Sequence, residues 1–347
     1  MRLVYYISGH GLGHGSRSIE VMRAIRAIAS NVAIDVRTAA PRWLFESAAP
    51  AGVVYQAVQT DTGVVQTDSL TIDEEGTARA AARFDREFER RVEDEARILR
   101  SLRADLVLAD VPPLAMAAAH RAGVPAVAIA NFTWDWIFSI YRTFDGLAPR
   151  AIPTIRAAYA TTSLALRLPL HGGFETMPVV RDIPLVARRS SRDPADIRKQ
   201  LGVDPGRVLV LSSFSGFGLD LPLADLARST DFALLSPERD PPQGLRYEDL
   251  VAAADVVVSK PGYGIVSECA VNGTALLYTS RGRFIEYDVL VAGMPRLLRS
   301  RFMAPDDLRA GRWTASIHAV LAQPAPAERP RAHGATVAAE HILDMIG

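Results

Sequence analysis

The sequence predicts an α/β protein made of two similar halves, each built on a doubly wound parallel sheet. Short apolar runs alternate with helical patterns along most of the 347 residues, an order that places neighbouring strands parallel to one another. Each half opens with an apolar run that leads into a glycine-rich turn. The chain is also longer than one hydrophobic core usually organises, which favours two domains.

The first half contains four predicted buried strands separated by helices. These strands cover residues 2–8, 32–38, 104–110 and 124–131. The helix after the first strand carries Ile19, Met22 and Ile25 at helical spacing. A long charged helix is predicted over residues 79–103, because its apolar side chains fall on one stripe.

The second half begins after a change in composition. Residues 187–206 are rich in Arg, Asp and Pro, and they predict a linker that contains a short helix. Three further strands are predicted beyond it, at residues 207–213, 254–260 and 274–280. The predicted organisation is a first domain of residues 1–186, the linker 187–206, a second domain of residues 207–330 and a C-terminal helix in residues 331–347.

Composition excludes several classes of protein. The formal net charge of +0 gives no general attraction to nucleic acid. A single cysteine excludes an intramolecular disulfide and a cysteine-rich zinc site. No run approaches the roughly 20 apolar residues that a membrane span needs, and no signal-peptide pattern opens the chain. We therefore expect a cytoplasmic protein without a transmembrane segment, for which peripheral membrane contact is still open.

The first glycine turn, "SGHGLGHGS" at residues 8–16, can be compared with three known types of binding site. A phosphate-binding P-loop needs Lys-Ser or Lys-Thr after its second glycine, whereas Ser16 and Arg17 stand here. The G-x-G-x-x-G dinucleotide pattern is also missing. His10 and His14 have the spacing of zinc ligands on a helix, but the glycines disfavour that helix, so we expect no metal.

What remains is a turn that holds a polar substrate at the carboxyl end of a strand, with His14 as a general base. The alternative is that His10 and His14 only cap the next helix or hydrogen bond within the turn. Asp110 also ends a strand. It is predicted to orient His14, to act as the base itself, or to cap its own turn.

The segment "SKPGYGIVSECAVNG" at residues 259–273 predicts a diphosphate site. Gly262 and Gly264 let phosphate oxygens approach the backbone at a helix start, where free N–H groups and the helix dipole stabilise negative charge. Lys260 precedes this turn. Glu268 has the acceptor oxygens that a ribose needs, although a plain first-turn acid explains it as well.

Two further segments carry candidate contacts. The turn at residues 213–218 offers backbone donors, and residues 281–288 place Arg283 and Glu286 where sugar hydroxyls are expected. The aromatic segment "NFTWDWIFSIY" at residues 131–141 contains Trp134 and Asp135. These two predict an acceptor pocket, and core packing is an equally valid interpretation of the aromatic residues.

Taken together, these motifs resemble those of the GT-B glycosyltransferases. The chain is similar to the predicted glycosyltransferases marked by "GHGxGHxxR", which include the N-terminal domain of plant arabinokinases, and more distantly to the lipid II N-acetylglucosaminyltransferases. The matching pieces, in chain order, are "SGHGLGHGSRSIEV", "DLVLADVPPLAMAAA", "NFTWDW", "IPLVARR", "SSFSGFG" and "SKPGYGIVSE". The resemblance implies two facing Rossmann-like domains with an interdomain cleft, and a C-terminal helix that returns toward the first domain.

The resemblance also implies roles for individual residues. His14 matches the histidine that contacts or deprotonates the acceptor, Glu268 matches the ribose-binding glutamate, and Gly262 and Gly264 match the phosphate turn. The candidate donor-binding residues are Ser215, Gly216, Lys260, Gly262, Tyr263, Gly264, Ser267, Glu268, Arg283 and Glu286. The candidate acceptor-binding residues are His10, Gly13, Arg17, Trp134 and Asp135.

The implied reaction is an inverting transfer of a sugar from a nucleotide sugar, usually a UDP-sugar, to a hydroxyl on a small-molecule or lipid-linked acceptor. No Asp-x-Asp pair occurs in the sequence, so we expect metal-independent activity and no cofactor besides the nucleotide-sugar co-substrate. Two alternatives stay open: a UDP-sugar 2-epimerase of the same fold, and a non-catalytic nucleotide-sugar-binding protein.

Overall fold

The structure is a computed structural model that describes residues 1–214, 219–237, 241–242, 244–328 and 330–346. Its strands are β1 (Arg2–Ile7), β2 (Ala33–Thr38), β3 (Val54–Ala57), β4 (Val65–Gln66), β5 (Ile72–Asp73), β6 (Leu106–Asp110), β7 (Ala126–Phe132), β8 (Leu164–Gly172), β9 (Val180–Asp182), β10 (Val208–Ser213), β11 (Phe232–Leu235), β12 (Val256–Ser259), β13 (Ala275–Tyr278) and β14 (Ser300–Phe302). Its helices are α1 (Leu12–Ile28), α2 (Arg42–Ala48), α3 (Glu74–Arg86), α4 (Phe88–Leu102), α5 (Pro113–Ala122), α6 (Trp134–Phe138), α7 (Thr143–Leu147), α8 (Ala151–Tyr159), α9 (Pro194–Gln200), α10 (Leu223–Leu226), α11 (Tyr247–Ala253), α12 (Tyr263–Asn272), α13 (Ile285–Leu297), α14 (Pro305–Arg309), α15 (Thr314–Leu321) and α16 (Gly334–Asp344).

The chain divides into two compact units. Unit 1 contains Met1–Val65, Asp73–Val186 and the described part of His333–Gly347. Unit 2 contains Gln66–Ile72 and the described part of Ala187–Ala332.

Unit 1 is built on a parallel sheet with the strand order β3-β2-β1-β6-β7-β8-β9. The order reverses between β1 and β6, and a doubly wound sheet binds its ligands at such a reversal, outside the carboxyl ends of the strands. Strand β6 is buried along its whole length, and so is β7. The near-continuous apolar runs in the sequence reflect this burial on both faces of the sheet.

Unit 2 repeats the architecture on a smaller scale. Its parallel sheet has the order β11-β10-β12-β13-β14, and the reversal lies between β10 and β12. Val210, Val258 and Leu277 from three central strands pack with Trp313 into one core. The prediction of an α/β protein with two Rossmann-like parallel sheets is therefore confirmed.

Two short segments belong to a different unit than the predicted boundaries imply. The predicted linker 187–206 is part of unit 2, because Ile197 of α9 is fully buried and the Ser190 hydroxyl donates to Asp249 at 2.6 Å. Residues 66–72 also belong to unit 2, since Leu70 packs into its core. Helix α16 lies in unit 1, where it packs against α1.

The predicted charged helix over residues 79–103 is interrupted. The structure has two helices, α3 and α4, which meet at Glu87. The apolar periodicity continues through this position, so the sequence pattern does not reveal the break. The two helices have different neighbours: α3 packs against α7, whereas α4 packs against α5.

Replacing Gly334 with alanine is expected to destabilise the protein by about 1–3 kcal/mol, the usual cost of overpacking. Gly334 begins α16, and a Cβ there would lie 2.1 Å from the carbonyl oxygen of Pro184 and 2.6 Å from that of Leu185, which are backbone atoms with little room to move. Urea unfolding measures the change. Gly146→Ala in α7 is the matched control, because its Cβ meets nothing within 4 Å. Equal stabilities for the two variants would contradict the explanation.

Candidate active site

The reversal point of the unit 1 sheet brings two predicted residues together. Strand β1 leads through the glycine turn into α1, and the neighbouring strand β6 ends at Asp110. Ile7 pairs in register with Asp110, and the Ser8 N–H donates to the Asp110 carbonyl at 2.8 Å. His14, three residues into α1 from its N-cap, thus lies beside the end of β6.

Helix α1 starts earlier than the glycines suggest. Its N-cap is Gly11, whose φ of 75° lies in the left-handed region that favours glycine. Gly15 lies within the helix, where α2 packs closely against it. A Cβ at Gly15 would lie 2.6 Å from Leu44 Cδ2, so the close packing favours glycine at this position. The expectation that the glycines prevent a helix around His14 is therefore wrong. His10 lies before the helix, so the two histidines do not share one helix face.

Asp110 is the centre of a buried polar network. Its side chain is fully buried, and its Oδ1 lies 2.8 Å from Nδ1 of His14. Arg17 donates to it twice, from Nε to Oδ2 and from Nη2 to Oδ1, each at 2.5 Å. The Ser18 hydroxyl adds a further hydrogen bond to Oδ2 at 3.2 Å. The three side chains that contact the Asp110 carboxylate in these bonds, His14, Arg17 and Ser18, all belong to α1.

The charge on Asp110 fixes the tautomer of His14. Burial by itself would raise the pKa of Asp110, but the positive charge of Arg17, the electrostatic interaction with His14 and the hydrogen bonds to both lower it below its usual value. An ionised carboxylate only accepts hydrogen bonds, so Nδ1 of His14 carries the hydrogen. Arg17 Nη2, at 3.1 Å from that nitrogen, is therefore a close neighbour and not its donor. Nε2 of the neutral ring keeps its lone pair, as a general base requires.

Arg17 is predicted to contact the acceptor, whereas the structure engages its guanidinium inside unit 1. Nε and Nη2 donate to Asp110, and Nη1 donates to Asn131 at 2.6 Å. Arg17 is 5% exposed. These bonds hold the planar guanidinium on a buried carboxylate.

Asp61 is a further buried acid in the surroundings of His14, and the sequence analysis did not identify it. It follows β3, in a segment anchored by the Thr60 hydroxyl, which donates to the Ile7 carbonyl at 3.0 Å. Its Oδ2 accepts a hydrogen bond from the Trp134 indole at 2.9 Å. Burial raises the pKa of Asp61 to about 6, against a hydrogen bond from Ser8 and the charge of His14, which lower it. The only signal in the sequence is a short polar run after a strand, which is too common to identify a site.

Of the predicted acceptor residues, Trp134 lies close to His14. The Trp134 ring is buried, and its centroid lies 6.5 Å from that of His14 and 5.6 Å from that of His10. Gly13 is partly exposed in the first turn of α1. Asp135 is buried and accepts from Arg156 at 3.1 Å through Oδ2, while its Oδ1 has no hydrogen-bond partner among the described residues. Trp134 is therefore both a buried core residue and a neighbour of His14.

The reversal point of the unit 2 sheet holds the second group of candidates. Strands β10 and β12 are neighbours there, and the Ser259 hydroxyl donates to the Ser213 carbonyl at 2.6 Å. Lys260 follows β12, and Gly262 is the N-cap of α12, without a side-chain hydrogen bond to the helix start. The first N–H groups of this ten-residue helix therefore face the same edge of the sheet as Lys260.

Two cations lie at this helix start. Burial, followed by the charge of Arg281, lowers the pKa of Lys260 to about 8, while Asp68 opposes the shift. Arg281 donates through Nη1 to the Pro261 carbonyl at 3.2 Å and to Glu286 at 2.7 Å. Its Nε is buried and has no hydrogen-bond partner within the described residues. This arrangement suits an anion, and Arg281 is absent from the sequence-based candidates.

Glu268 is buried in α12 and paired with an arginine. It is 3% exposed, and its Oε1 accepts from Arg188 Nε at 2.6 Å. Burial raises the pKa of Glu268, and the charge of Arg188 opposes the rise. The Arg188 guanidinium also lies over the Tyr247 ring, 5.0 Å from its centroid. Arg188 and Tyr247 are further residues that sequence reasoning missed.

The other predicted donor residues have varied positions. Tyr263 is buried and Gly264 is partly exposed in the first turn of α12. Ser267 is predicted to bind the donor, but its hydroxyl donates to the Gly264 carbonyl at 2.9 Å within its own helix. Glu286 is buried against Arg281, and Arg283 is exposed. Ser215 and Gly216 lie outside the described residues.

In the part of the chain that the structure describes, no group of three or more His, Cys, Asp or Glu side chains is placed to hold a metal ion. Among the described helices, none combines the length and hydropathy that crossing a bilayer requires.

Comparisons with known proteins agree with this architecture. No protein-family model matches the chain. The chain is 31% identical over 333 residues to L-arabinokinase from Arabidopsis thaliana, which covers 89% of this chain and 31% of that protein. It thus spans about a third of the length of that relative.

Solved glycosyltransferase structures match the whole fold. The glycotransferase of kitacinnamycin superposes with a TM-score of 0.64 at 16% identity, over 100% of this chain and 99% of that one. A UDP-glucosyltransferase from Polygonum tinctorium that glucosylates indoxyl superposes with a TM-score of 0.61 at 12% identity, over 99% of this chain and 93% of that one. The chain therefore has the GT-B fold and resembles, along most of its length, part of a plant arabinokinase.

Proposed function

We propose that this protein is an inverting, metal-independent glycosyltransferase that moves a sugar from a nucleotide sugar to an acceptor hydroxyl. The observation that carries the proposal is the 2.8 Å contact between His14 Nδ1 and Asp110 at the reversal point of the unit 1 sheet, on a GT-B fold. That contact leaves Nε2 of His14 as a base where a doubly wound sheet binds its ligand.

In this mechanism, Nε2 of His14 takes the proton of the acceptor hydroxyl as its oxygen attacks the anomeric carbon. The bond from the anomeric carbon to the nucleoside diphosphate breaks on the opposite face, so the configuration inverts. Asp110 stabilises the imidazolium that forms, because its carboxylate accepts the Nδ1 hydrogen bond. Arg17 and Ser18 hold Asp110 and take no part in the transfer.

Unit 2 is proposed to bind the nucleotide sugar. The diphosphate is held by the first N–H groups of α12, by Lys260 and by the buried Nε of Arg281, which stabilise the charge that develops on the leaving group. Glu268, oriented by Arg188, receives the ribose hydroxyls. UDP is the favoured nucleotide, because the similar Polygonum tinctorium enzyme is a UDP-glucosyltransferase.

A screen of nucleotide sugars tests the proposal. A ligand at 100 times its Kd stabilises the folded protein by about 2.7 kcal/mol, which thermal unfolding detects. The ligand found is then incubated with and without hydroxyl acceptors, and the products are analysed by mass spectrometry and by NMR of the anomeric proton. Conversion of the donor alone to its 2-epimer would make the protein an epimerase, and binding without any turnover would make it a non-catalytic binder. Either result would refute the proposal.

Turnover is expected to be the same in excess EDTA as in Mg²⁺ or Mn²⁺. The reason is that helix N–H groups and cationic side chains neutralise the diphosphate here, and the sequence lacks the Asp-x-Asp pair of metal-dependent transferases. Initial rates in the two buffers measure this. Activity that depends strictly on a divalent cation would contradict the donor-site assignment.

Affinity for the nucleotide sugar is expected to fall as the pH rises through about 8. The pKa of Lys260 is about 8 in the free protein, so its ammonium group is charged at pH 7 and is neutral at pH 9, where it no longer attracts the diphosphate. Lys260→Met should weaken binding by about 10–100-fold at pH 7, the range for a hydrogen bond to a charged group, and should remove this pH dependence. Calorimetric titration measures both effects. Lys199→Met, at the exposed second lysine, is the matched control.

A further inference from the structure

A short hairpin from the first half of the chain contributes its tip to unit 2. Strands β4 and β5 pair with each other, and the Thr67 N–H donates to the Thr71 carbonyl at 3.1 Å. The hairpin tip, residues 67–71, belongs to unit 2, where Leu70 packs into the core and Ser69 is fully buried. The tip is therefore fixed to unit 2, although it precedes every strand of that unit's parallel sheet in the chain.

The backbone of the hairpin lies against the turn that carries Arg281. Gly282 is the next residue of that turn, and its φ of 72° lies in the left-handed region that favours glycine. A Cβ at Gly282 would lie 2.7 Å from the Leu70 carbonyl oxygen and 3.5 Å from the Ile72 nitrogen. Arg281 in turn donates to the Pro261 carbonyl at 3.2 Å, next to the N-cap of α12. The hairpin is thus in direct contact with the turn that holds Arg281 at the start of α12.

The tip also carries a negative charge toward the same helix start. Asp68 Oδ1 accepts the Leu70 N–H at 2.6 Å, and this bond is the main reason that the pKa of Asp68 lies below its usual value. Asp68 is therefore ionised at neutral pH, and the charge of Arg309 also favours its ionised form. Of the two charges that act on Lys260 within the described residues, Arg281 repels the ammonium group and Asp68 attracts it.

We propose that the hairpin tip is a positioning element of the diphosphate site, in which Leu70 seats the turn that carries Arg281 and Asp68 is the counter-ion of Lys260 that a diphosphate replaces. This inference rests on the proposed function for the location of the diphosphate at α12. Asp68 has two opposite effects on such a ligand. Its carboxylate repels the phosphate oxygens, and it also keeps the Lys260 ammonium group charged to a higher pH.

Asp68→Asn tests the counter-ion role without any ligand. The amide oxygen of asparagine still accepts the Leu70 N–H, so the turn is retained. The sequence contains only two lysines, Lys199 and Lys260, so protein labelled with ¹³C at lysine Cε gives two side-chain NMR signals to follow against pH. The pKa of Lys260 is about 8 in the original protein and is expected to fall further in Asp68→Asn. Asp204→Asn, at an exposed acid of unit 2, is the matched control and should leave it unchanged. Equal titration of Lys260 in all three proteins would overturn the counter-ion role.

Calorimetric titration with inorganic pyrophosphate measures the same charge from the side of the ligand. Below the pKa of Lys260 in both proteins, Asp68→Asn is expected to bind pyrophosphate severalfold more tightly than the original protein, because the repelling carboxylate is gone. This advantage should shrink over the pH range in which Lys260 is neutral in the variant and still charged in the original protein. The ratio of the two affinities cancels the ionisation of pyrophosphate itself. A hairpin that was merely loosened would weaken binding by the same factor at every pH, and that result would overturn the counter-ion role.

Gly282→Ala tests the seating role of Leu70. The added Cβ meets the Leu70 carbonyl oxygen and should displace the Arg281 turn, which is expected to weaken pyrophosphate binding by about tenfold or more. Gly273→Ala is the matched control, because its φ of 78° imposes a similar backbone strain while its Cβ meets nothing within 4 Å. Circular dichroism verifies that both variants are folded. Equal affinities of the two variants for pyrophosphate would overturn the seating role.

The outcomes separate this inference from the proposed function. If the pKa of Lys260 falls in Asp68→Asn but neither protein binds pyrophosphate, the diphosphate assignment fails and the contact between Asp68 and Lys260 is supported. If the original protein binds pyrophosphate but Asp68→Asn changes neither the pKa of Lys260 nor the pH dependence of binding, the diphosphate site is supported and the counter-ion role is overturned.

Discussion

Replacing His14 with alanine is expected to lower kcat for sugar transfer by about 10²–10⁴-fold, the usual contribution of a general base. The donor should bind unchanged, because the predicted donor residues lie in unit 2 and His14 lies in unit 1. Initial-rate kinetics at saturating donor and acceptor measure the loss, and titration of the nucleotide sugar measures the affinity.

Asp110→Asn distinguishes the two candidate bases. If His14 is the base, the amide in place of the carboxylate no longer stabilises the imidazolium and no longer fixes the tautomer, so activity also falls, but donor affinity does not. If Asp110 itself were the base, His14→Ala would keep most of the activity and Asp110→Asn would lose it. That pattern would refute the assignment of His14.

Replacing Asp110 with alanine is expected to destabilise unit 1 by about 3–5 kcal/mol, the cost of removing one partner of a buried ion pair. Asp110 is fully buried, and it is the ionic partner of Arg17, which is 5% exposed. Without the carboxylate, the guanidinium loses both of its bonds to Asp110 and keeps only its bond to Asn131 among those described above. Urea unfolding followed by circular dichroism measures the change.

The double variant Arg17→Met/Asp110→Ala identifies the cause of that loss. It keeps the same space at position 110 but removes the buried guanidinium, so it should be more stable than Asp110→Ala alone. If the double variant is no more stable than the single one, the loss comes from the cavity at position 110 and not from the broken ion pair with Arg17.

The sequence alone was enough to predict the fold. Strands β1, β6, β10, β12 and β13 fall within the apolar runs that predict them, and β7 ends one residue beyond its run, because a strand buried on both faces of a parallel sheet is mostly apolar. Its motifs also predicted the GT-B resemblance. Asp110 and Lys260 at or just after the ends of such strands, and His14 beyond the glycine turn that follows β1, were identifiable as candidates, since a doubly wound sheet binds ligands at its carboxyl edge.

Contacts between side chains that are distant in the sequence were revealed only by the tertiary structure. Arg17 of α1 lies in a motif typical of ligand binding, yet its guanidinium donates hydrogen bonds to Asp110 on β6 and to Asn131 on β7. Asp61 reaches the Trp134 indole although 73 residues separate them, and Arg188 orients Glu268 across 80 residues. Local patterns report periodicity and turn chemistry, whereas these pairs depend on how strands are ordered across a sheet, and a linear pattern does not contain that order.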